Sequence, residues 1–269
     1  MKTTVKVAII QPKPYPQFDD PRNVGHALLL LERCKRKNLD IICFPEYFPW
    51  NGEEEIAAQA RALKTYIIAG IVEVSGDNLY NTATLFGRDG RILGRQRKKS
   101  VGALERHSFG ITPGKGPYEV FYTDFGKIGM PVCIDFWGQP QAGQELTDRG
   151  ADIIFNIGIF PILRGHWRTA CLVRAFENFI PIVGVNTADF NCLIGSRRYH
   201  QYGGHSMIIE PPRLLDKDHF RRWLKSLDNI EDWIKVELDE TEQVYFGEVD
   251  INAGRRFRRD FWQRFGFQR

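Results

Sequence analysis

The chain alternates between short runs of buried-type residues and longer stretches whose apolar positions recur every three or four residues. "TVKVAII" near the start is brief and β-branched, which predicts a first strand. "DDPRNVGHALLLLERCKRK" follows, with Leu28, Leu31 and Cys34 at helical spacing, Asp20 as the expected N-cap and Pro21 at the first helical position. "DIICFPE" predicts a buried strand that must stop at Pro45, since proline cannot donate to a ladder. "AAQARALK" predicts a helix. "YIIAGIVEV", "LYNTATLFG" and "ILGRQRK" then read as strands, the last two joined as a hairpin by a turn at Asp89-Gly90.

The same alternation continues beyond the hairpin. "GKIGMPVC" predicts a strand, "QAGQELTDRG" a helix closed by Gly150, "ADIIFNIG" a strand, "GHWRTACLVRAFENF" a helix and "IPIVGVNTA" a strand. "GHSMIIEP" and "VYFGEVDI" predict two late strands. Between them, residues 213–235 form a more charged stretch expected to be a helical excursion. Strands alternating with helices favour an α/β fold, and the hairpin means that the sheet is not purely parallel. The expectation is a layered, mixed-sheet α/β domain spanning residues 1–269 as one unit, without internal repeats or low-complexity linkers.

Composition narrows the function classes. With 43% hydrophobic and 26% charged residues, the chain is an ordinary globular one. The net charge of +4 is mild, and much of the basic excess sits in the C-terminal "GRRFRRDFWQRFGFQR". Without a recognition motif nearby, that run reads as a solvated tail or a helix with salt-bridged arginines, and no nucleic-acid partner is expected. No apolar stretch approaches the ~20 residues of a membrane span, and the N-terminus reads as a strand rather than a signal peptide. The five cysteines, Cys34, Cys43, Cys133, Cys171 and Cys192, are odd in number and lack metal-ligand spacing. Neither a disulfide framework nor a metal is expected, and a reducing cytoplasm is the default compartment.

Three polar residues stand where apolar strands end: Glu46 after "DIICFP", Lys98 after "RILGRQR" and Cys133 after "GKIGMPV". Ligand sites of open α/β sheets lie at the carboxyl ends of strands. Each residue alone has an ordinary reading: a solvated loop carboxylate, part of an exposed basic run, an inert core thiol. Together they make chemical sense. A thiol with pKa ~8.5 needs a base, which Glu46 supplies if partial burial raises its pKa. Attack on a carbonyl or nitrile carbon develops negative charge that the Lys98 ammonium and the Ile134 backbone N–H can stabilise. A covalent thioester or thioimidate would follow. Spacing permits these residues to meet but does not prove it.

The same segments, in the same order, resemble the nitrilase superfamily of carbon–nitrogen hydrolases. "VAIIQ" is similar to its opening strand, "FPEYF" to the segment of its catalytic glutamate, "YNTATLFGRDGRILGRQRKKS" to its hairpin and lysine segment, and "GKIGMPVCID" to its nucleophile segment. "LERHSF" resembles the stretch with a second glutamate, here Glu105, and "HWRTACLVRAFENFIPIVGVN" its helix-then-strand signature; "GGHSMIIEP" is similar to a late strand. The resemblance implies a four-layer αββα sandwich, a Glu46–Lys98–Cys133 triad with Glu105 holding Lys98 and the substrate, no metal or organic cofactor, and a homodimer or higher homo-oligomer.

Departures from that pattern fall around the substrate. Ser100 and Val101 occupy positions where the family often has histidine and leucine. Pro140 comes late after the nucleophile, and no glutamate follows it directly; Glu145 would substitute only with a rearranged backbone. Two residues past the cysteine stands Asp135, as in amide- and carbamoyl-cleaving branches, where nitrile-cleaving ones tend to have glutamate. The expected reaction is therefore hydrolysis of a small-molecule amide or carbamoyl compound, with nitrile hydrolysis or a non-catalytic interaction role as alternatives. Tyr47, Phe136 and Trp137 line the pocket or pack the core. His166 is expected to hydrogen-bond near a helix start, Glu177 and Asn178 to fix layer packing, and Asn186 to serve a turn. Cys43 and Cys171 read as core, and Cys192, in the polar loop "ADFNCLIGSRRYH", is the one rival nucleophile.

Overall fold

The computed structural model describes residues 3–159, 164–212 and 229–264. Strand β1 (Thr4–Gln11) pairs antiparallel with β15 (Gln243–Asp250) on one side and parallel with β2 (Ile41–Cys43) on the other. The sheet continues through β4 (Tyr66–Ser75), β5 (Asn78–Phe86) and β6 (Ile92–Arg97), and the short β3 (Pro49–Trp50) pairs with β4. A second sheet runs β14 (Ile234–Glu237), β13 (Met207–Ile209), β10 (Ile182–Val185), β9 (Ile153–Ile157), β8 (Lys127–Gly129) and β7 (Val120–Tyr122). Both sheets mix parallel and antiparallel pairs.

The layering follows from the period of a strand, which sends successive side chains to opposite faces. Val5, Val7 and Ile9 of β1 share a core with Ile128, Ile153 and Phe155 of the second sheet. Their neighbours Ala8 and Ile10 belong to another core, with Ala27, Leu30 and Leu31 of α1 (Arg22–Glu32) and Ile56 and Ala60 of α2 (Glu53–Leu63). The first sheet therefore presses one face on the second sheet and the other on two helices. The second sheet is closed by α5 (Gln141–Asp148) and α6 (Arg164–Asn178). There Leu146 lies against Gly129, and Trp167 against Gly184, close enough that a Cβ at either glycine would clash. The result is the αββα sandwich expected.

Several local expectations shift. Helix α1 begins one residue later than predicted: Pro21 is its N-cap, and Asp20 accepts the Arg22 N–H at 2.9 Å. The supposed loop around Cys192 is a hairpin, β11 (Phe190–Ile194) and β12 (Arg197–Gln201), because Phe190, Cys192 and Ile194 alternate inward. Cys192 is fully buried with Gln201 Nε2 3.1 Å from its sulfur, which removes it as a rival nucleophile. Of the expected excursion at 213–235, residues 213–228 lie outside the described residues. Its end is not a continuing helix: Ile230–Trp233 makes a 3₁₀ turn and Ile234–Glu237 is the edge strand β14, with Trp233 buried. The basic C-terminal segment forms α7 (Ile251–Arg264). There Arg255 pairs with Asp152 at 2.5 Å and Arg258 donates to the Phe179 and Ala151 carbonyls.

Candidate active site

Glu46 is placed by a chain reversal. Strand β2 ends before Pro45, and Tyr47 adopts φ +58° immediately after the glutamate. This segment lies flush on β4 at Gly70, whose N–H donates to Phe48 O at 3.1 Å. A Cβ at Gly70 would sit 2.3 Å from Pro45 O and 2.5 Å from Tyr47 N, so only glycine permits the approach. The Glu46 side chain is turned inward and is 2% exposed. Its Oε2 accepts the Ile159 N–H at 2.9 Å, and its Oε1 accepts from Asn81 Nδ2 at 2.7 Å and Lys98 Nζ at 2.8 Å.

Lys98 follows β6 directly. Its backbone is held on both sides, N–H to Asn81 O at 2.8 Å and carbonyl to Gly114 N at 2.7 Å. The basic run "RQRKKS" is divided among three environments. Arg97 pairs with Glu73 at 2.6 Å, Lys99 Nζ stands 3.5 Å over the Tyr118 ring, and of the cations only Lys98 is buried. Its ammonium bridges Glu46 Oε1 and Glu105 Oε1, each at 2.8 Å. Glu105 comes from α3 (Ala103–Phe109), a helix the sequence reading left unassigned. It is the third residue of that helix, and its Oε2 reaches back to the Gly102 N–H at 3.0 Å, one half of a capping box. Its Oε1 also accepts the Tyr47 hydroxyl at 2.7 Å and Asn81 Nδ2 at 3.2 Å. Its partner is thus Lys98 and not the neighbouring Arg106.

Cys133 lies between β8 and α4 (Ile134–Trp137), directly after Val132, whose single bridge to Ile157 prolongs the strand. It adopts φ +53°, ψ −123°, a region that non-glycine residues enter at a cost of about 1–3 kcal/mol and that recurs at functional sites. The turn is clamped from behind. Cys133 N–H donates to Ile157 O at 2.7 Å, Asn156 Nδ2 donates to Pro131 O at 2.8 Å, and Trp167 Nε1 holds Asn156 Oδ1 at 2.8 Å. The Ile134 N–H opens α4 directly after the thiol.

The electrostatics follow from burial and from the charges packed together. Burial pushes Glu46 above the ordinary carboxylate range, with the Lys98 charge opposing and the Glu105 charge reinforcing the shift. For Glu105, burial works upward too, but the Lys98 charge and its hydrogen bonds hold it below the usual value. Burial opposes the charge on Lys98, yet Cys133, Glu46 and Glu105 around it hold its pKa well above normal. Burial and the Glu46 carboxylate push the Cys133 thiol up, against the pull of Lys98. The resting thiol is therefore protonated beside a carboxylate whose basicity is enhanced, the arrangement suited to proton removal during attack.

Glu46, Lys98, Glu105, Cys133 and Ile134 line one cavity of about 310 Å³, together with Tyr47 and Trp137. Phe136 does not join them: its ring is fully buried in the core between the layers, and its pocket role is corrected to packing. Asp135 is also fully buried, and accepts the Lys99 and Ser100 N–H groups at 2.7 Å each. Any preference it exerts between substrates passes through the loop that carries Lys98. Glu145 stays away from the cavity, accepting the Tyr118 N–H at 3.0 Å. Glu177, expected to fix layer packing, is instead half exposed and paired with Arg174, while Asn178 is buried as anticipated; Asn186, expected to serve a turn, is buried and donates to Gly204 O at 2.9 Å. A wider cleft of about 740 Å³ between α1 and β11 is lined by Tyr15, Arg22, His26 and Glu242 and has no thiol among its described lining residues. Asn81 and the Ile159 N–H escaped the sequence reading. The signal for Asn81 was a lone amide inside the apolar strand "YNTATLF"; a backbone donor leaves none. Among the described residues no cluster of His, Cys, Asp and Glu could hold a metal, and no helix is long and apolar enough to cross a membrane.

A family model described as carbon–nitrogen hydrolase matches residues 6–212. The chain is 31% identical over 228 residues to a nitrilase of Pyrococcus abyssi, covering 77% of this chain and 82% of the relative. It is 26% identical over 215 residues to omega-amidase NIT2 of Xenopus tropicalis, covering 70% and 75%. A crystal structure of a carbon–nitrogen hydrolase from Helicobacter pylori G27 superposes with a TM-score of 0.79 at 19% identity, covering 99% of this chain and 96% of that one.

Proposed function

The chain belongs to the carbon–nitrogen hydrolase family, the nitrilase superfamily, and from that membership and the site geometry we propose a Cys133-dependent amidohydrolase that releases ammonia or an amine through a thioester. The observation that carries this reading is the buried Lys98 ammonium, 2.8 Å from both Glu46 and Glu105, in one cavity with a strained cysteine.

Glu46 takes the thiol proton as Sγ attacks the carbonyl carbon. The oxyanion that forms is met by Lys98 Nζ and the Ile134 N–H, charge and dipole already in place. Glu46 then returns its proton to the nitrogen, the C–N bond breaks, and the acyl group remains on Sγ. Water enters, gives a proton to Glu46 and attacks the thioester. The second tetrahedral adduct expels the thiolate, which is reprotonated by Glu46, and the carboxylic acid leaves and ionises. Glu105 takes no proton in this sequence: it holds Lys98 in place and in its charged form. Nitrile hydrolysis by the same residues is a second reading, supported by the likeness to a protein named nitrilase. Asp135, which pointed toward amides, acts on the site only through the Lys98 loop.

An ammonia-release screen over short amides, ureido acids and nitriles, run with the wild type and Cys133→Ala, tests the reading. Turnover should vanish in the variant while its circular dichroism and melting stay those of the wild type. Undiminished release by Cys133→Ala would overturn the mechanism.

A further inference from the structure

We infer that the substrate is a carboxamide whose small, largely apolar acyl group carries no negative charge, an inference that rests on the amidohydrolase reading above. The ionisable groups on the described cavity wall are two carboxylates, Glu46 and Glu105, one ammonium, Lys98, the Cys133 thiol and the Tyr47 phenol. The ammonium is already shared between both carboxylates, so the described wall holds no spare cation for a substrate anion. The Tyr47 phenol and the Ser100, Gln201 and Trp137 side chains add no cation.

The rest of the wall is largely apolar, part aromatic and part aliphatic. Phe18, Tyr47 and Phe109 line it, Phe18 edge-on to Phe109 at 5.7 Å, and Tyr47 is backed by Trp50, which is not a lining residue, stacked at 5.0 Å. Ile159, Ile194 and Trp137 continue it. An anionic acyl group would lose its hydration against these side chains without gaining a counter-ion. A carboxylate on the acyl chain would in addition face the uncompensated negative charge of the Glu46–Lys98–Glu105 group. At a separation of ~7 Å and an effective dielectric of ~20, that repulsion is worth about 50-fold in binding. The same field acts usefully at the end of the reaction. Hydrolysis creates a carboxylate where the amide was neutral, so the product is driven out of a site that admitted its precursor.

Three amides of equal chain length separate the possibilities: butyramide, succinamate and 4-aminobutyramide, assayed for ammonia release with the wild type and with Cys133→Ala as blank. Butyramide and the oppositely charged control 4-aminobutyramide should both exceed succinamate in kcat/KM, butyramide by at least about tenfold. Cys133-dependent turnover that prefers succinamate overturns the inference while leaving the amidohydrolase reading intact. Absence of Cys133-dependent release from all three, with release from a nitrile or ureido compound, overturns the inference and the amide reading together.

Discussion

Replacing Glu105 by glutamine keeps the shape of the side chain that holds Lys98 and removes its charge. Lys98 Nζ lies 2.8 Å from Glu105 Oε1, and at an effective dielectric of ~20 two unit charges at that distance attract by about 6 kcal/mol. The amide oxygen and local relaxation recover part of this, and the Glu46 contact persists. A net loss near 3 kcal/mol is expected, which is a fall in kcat/KM of about 10². The pH profile gives a second readout. The Glu105 charge raises Glu46, so its removal lets the Glu46 pKa fall and the ascending limb of activity start at lower pH. The same charge raises Lys98, so the descending limb also moves toward acid. The assay is ammonia release across the pH range under kcat/KM conditions. A Glu105→Gln enzyme with wild-type kcat/KM and an unmoved profile would refute the electrostatic role and reduce Glu105 to a helix cap.

Three other outcomes follow from the geometry. Gly70→Ala should depress activity far more than an interior alanine normally does, because its Cβ would meet Pro45 O at 2.3 Å and displace the Glu46 segment; an unchanged kcat would show that the segment yields freely. Asp135→Asn leaves one of two buried N–H groups without an acceptor, costing about 1–3 kcal/mol and lowering Tm by about 2–8 °C with a loss of activity, whereas a neutral effect on both would mean that Lys98 is held by other contacts. The pKa of Lys98 in the folded protein lies well above the ordinary lysine value of about 10.4, so its ion pairs stabilise the fold fully below that value and are lost as pH rises through the folded pKa. Lys98→Met should flatten this alkaline decline in chemical-denaturation midpoints, and an identical decline in both proteins would assign it to other groups.

The sequence made the scaffold of the site readable because strand ends are marked by abrupt changes of polarity. Glu46, Lys98 and Cys133 each follow such a break, and the alternation in β1 already separates the inter-sheet face from the helix face. What stayed hidden depends on contacts between distant segments. Nothing in "RQRKKS" says that Arg97 turns to Glu73 and Lys99 to Tyr118 while Lys98 goes inward. Phe136 and Trp137 are neighbours of the same class, yet one is fully buried and the other lines the cavity, because a four-residue helix points them in different directions. The hairpin β11–β12 was missed because its polar, outward residues mask the alternation of Phe190, Cys192 and Ile194. The helix holding Glu105 is only seven residues long and fully lacks buried side chains, so it carries no apolar stripe to read.

The central claim is a covalent acyl group on Cys133. Mixing the enzyme with a turned-over amide, quenching in acid and mapping the peptides by mass spectrometry measures it directly. The account predicts the mass of the acyl group on the peptide containing Cys133, absent from Cys133→Ala and from the peptides of Cys34, Cys43, Cys171 and Cys192. Sustained turnover with Cys133 never acylated, or with the acyl group on another residue, would contradict it.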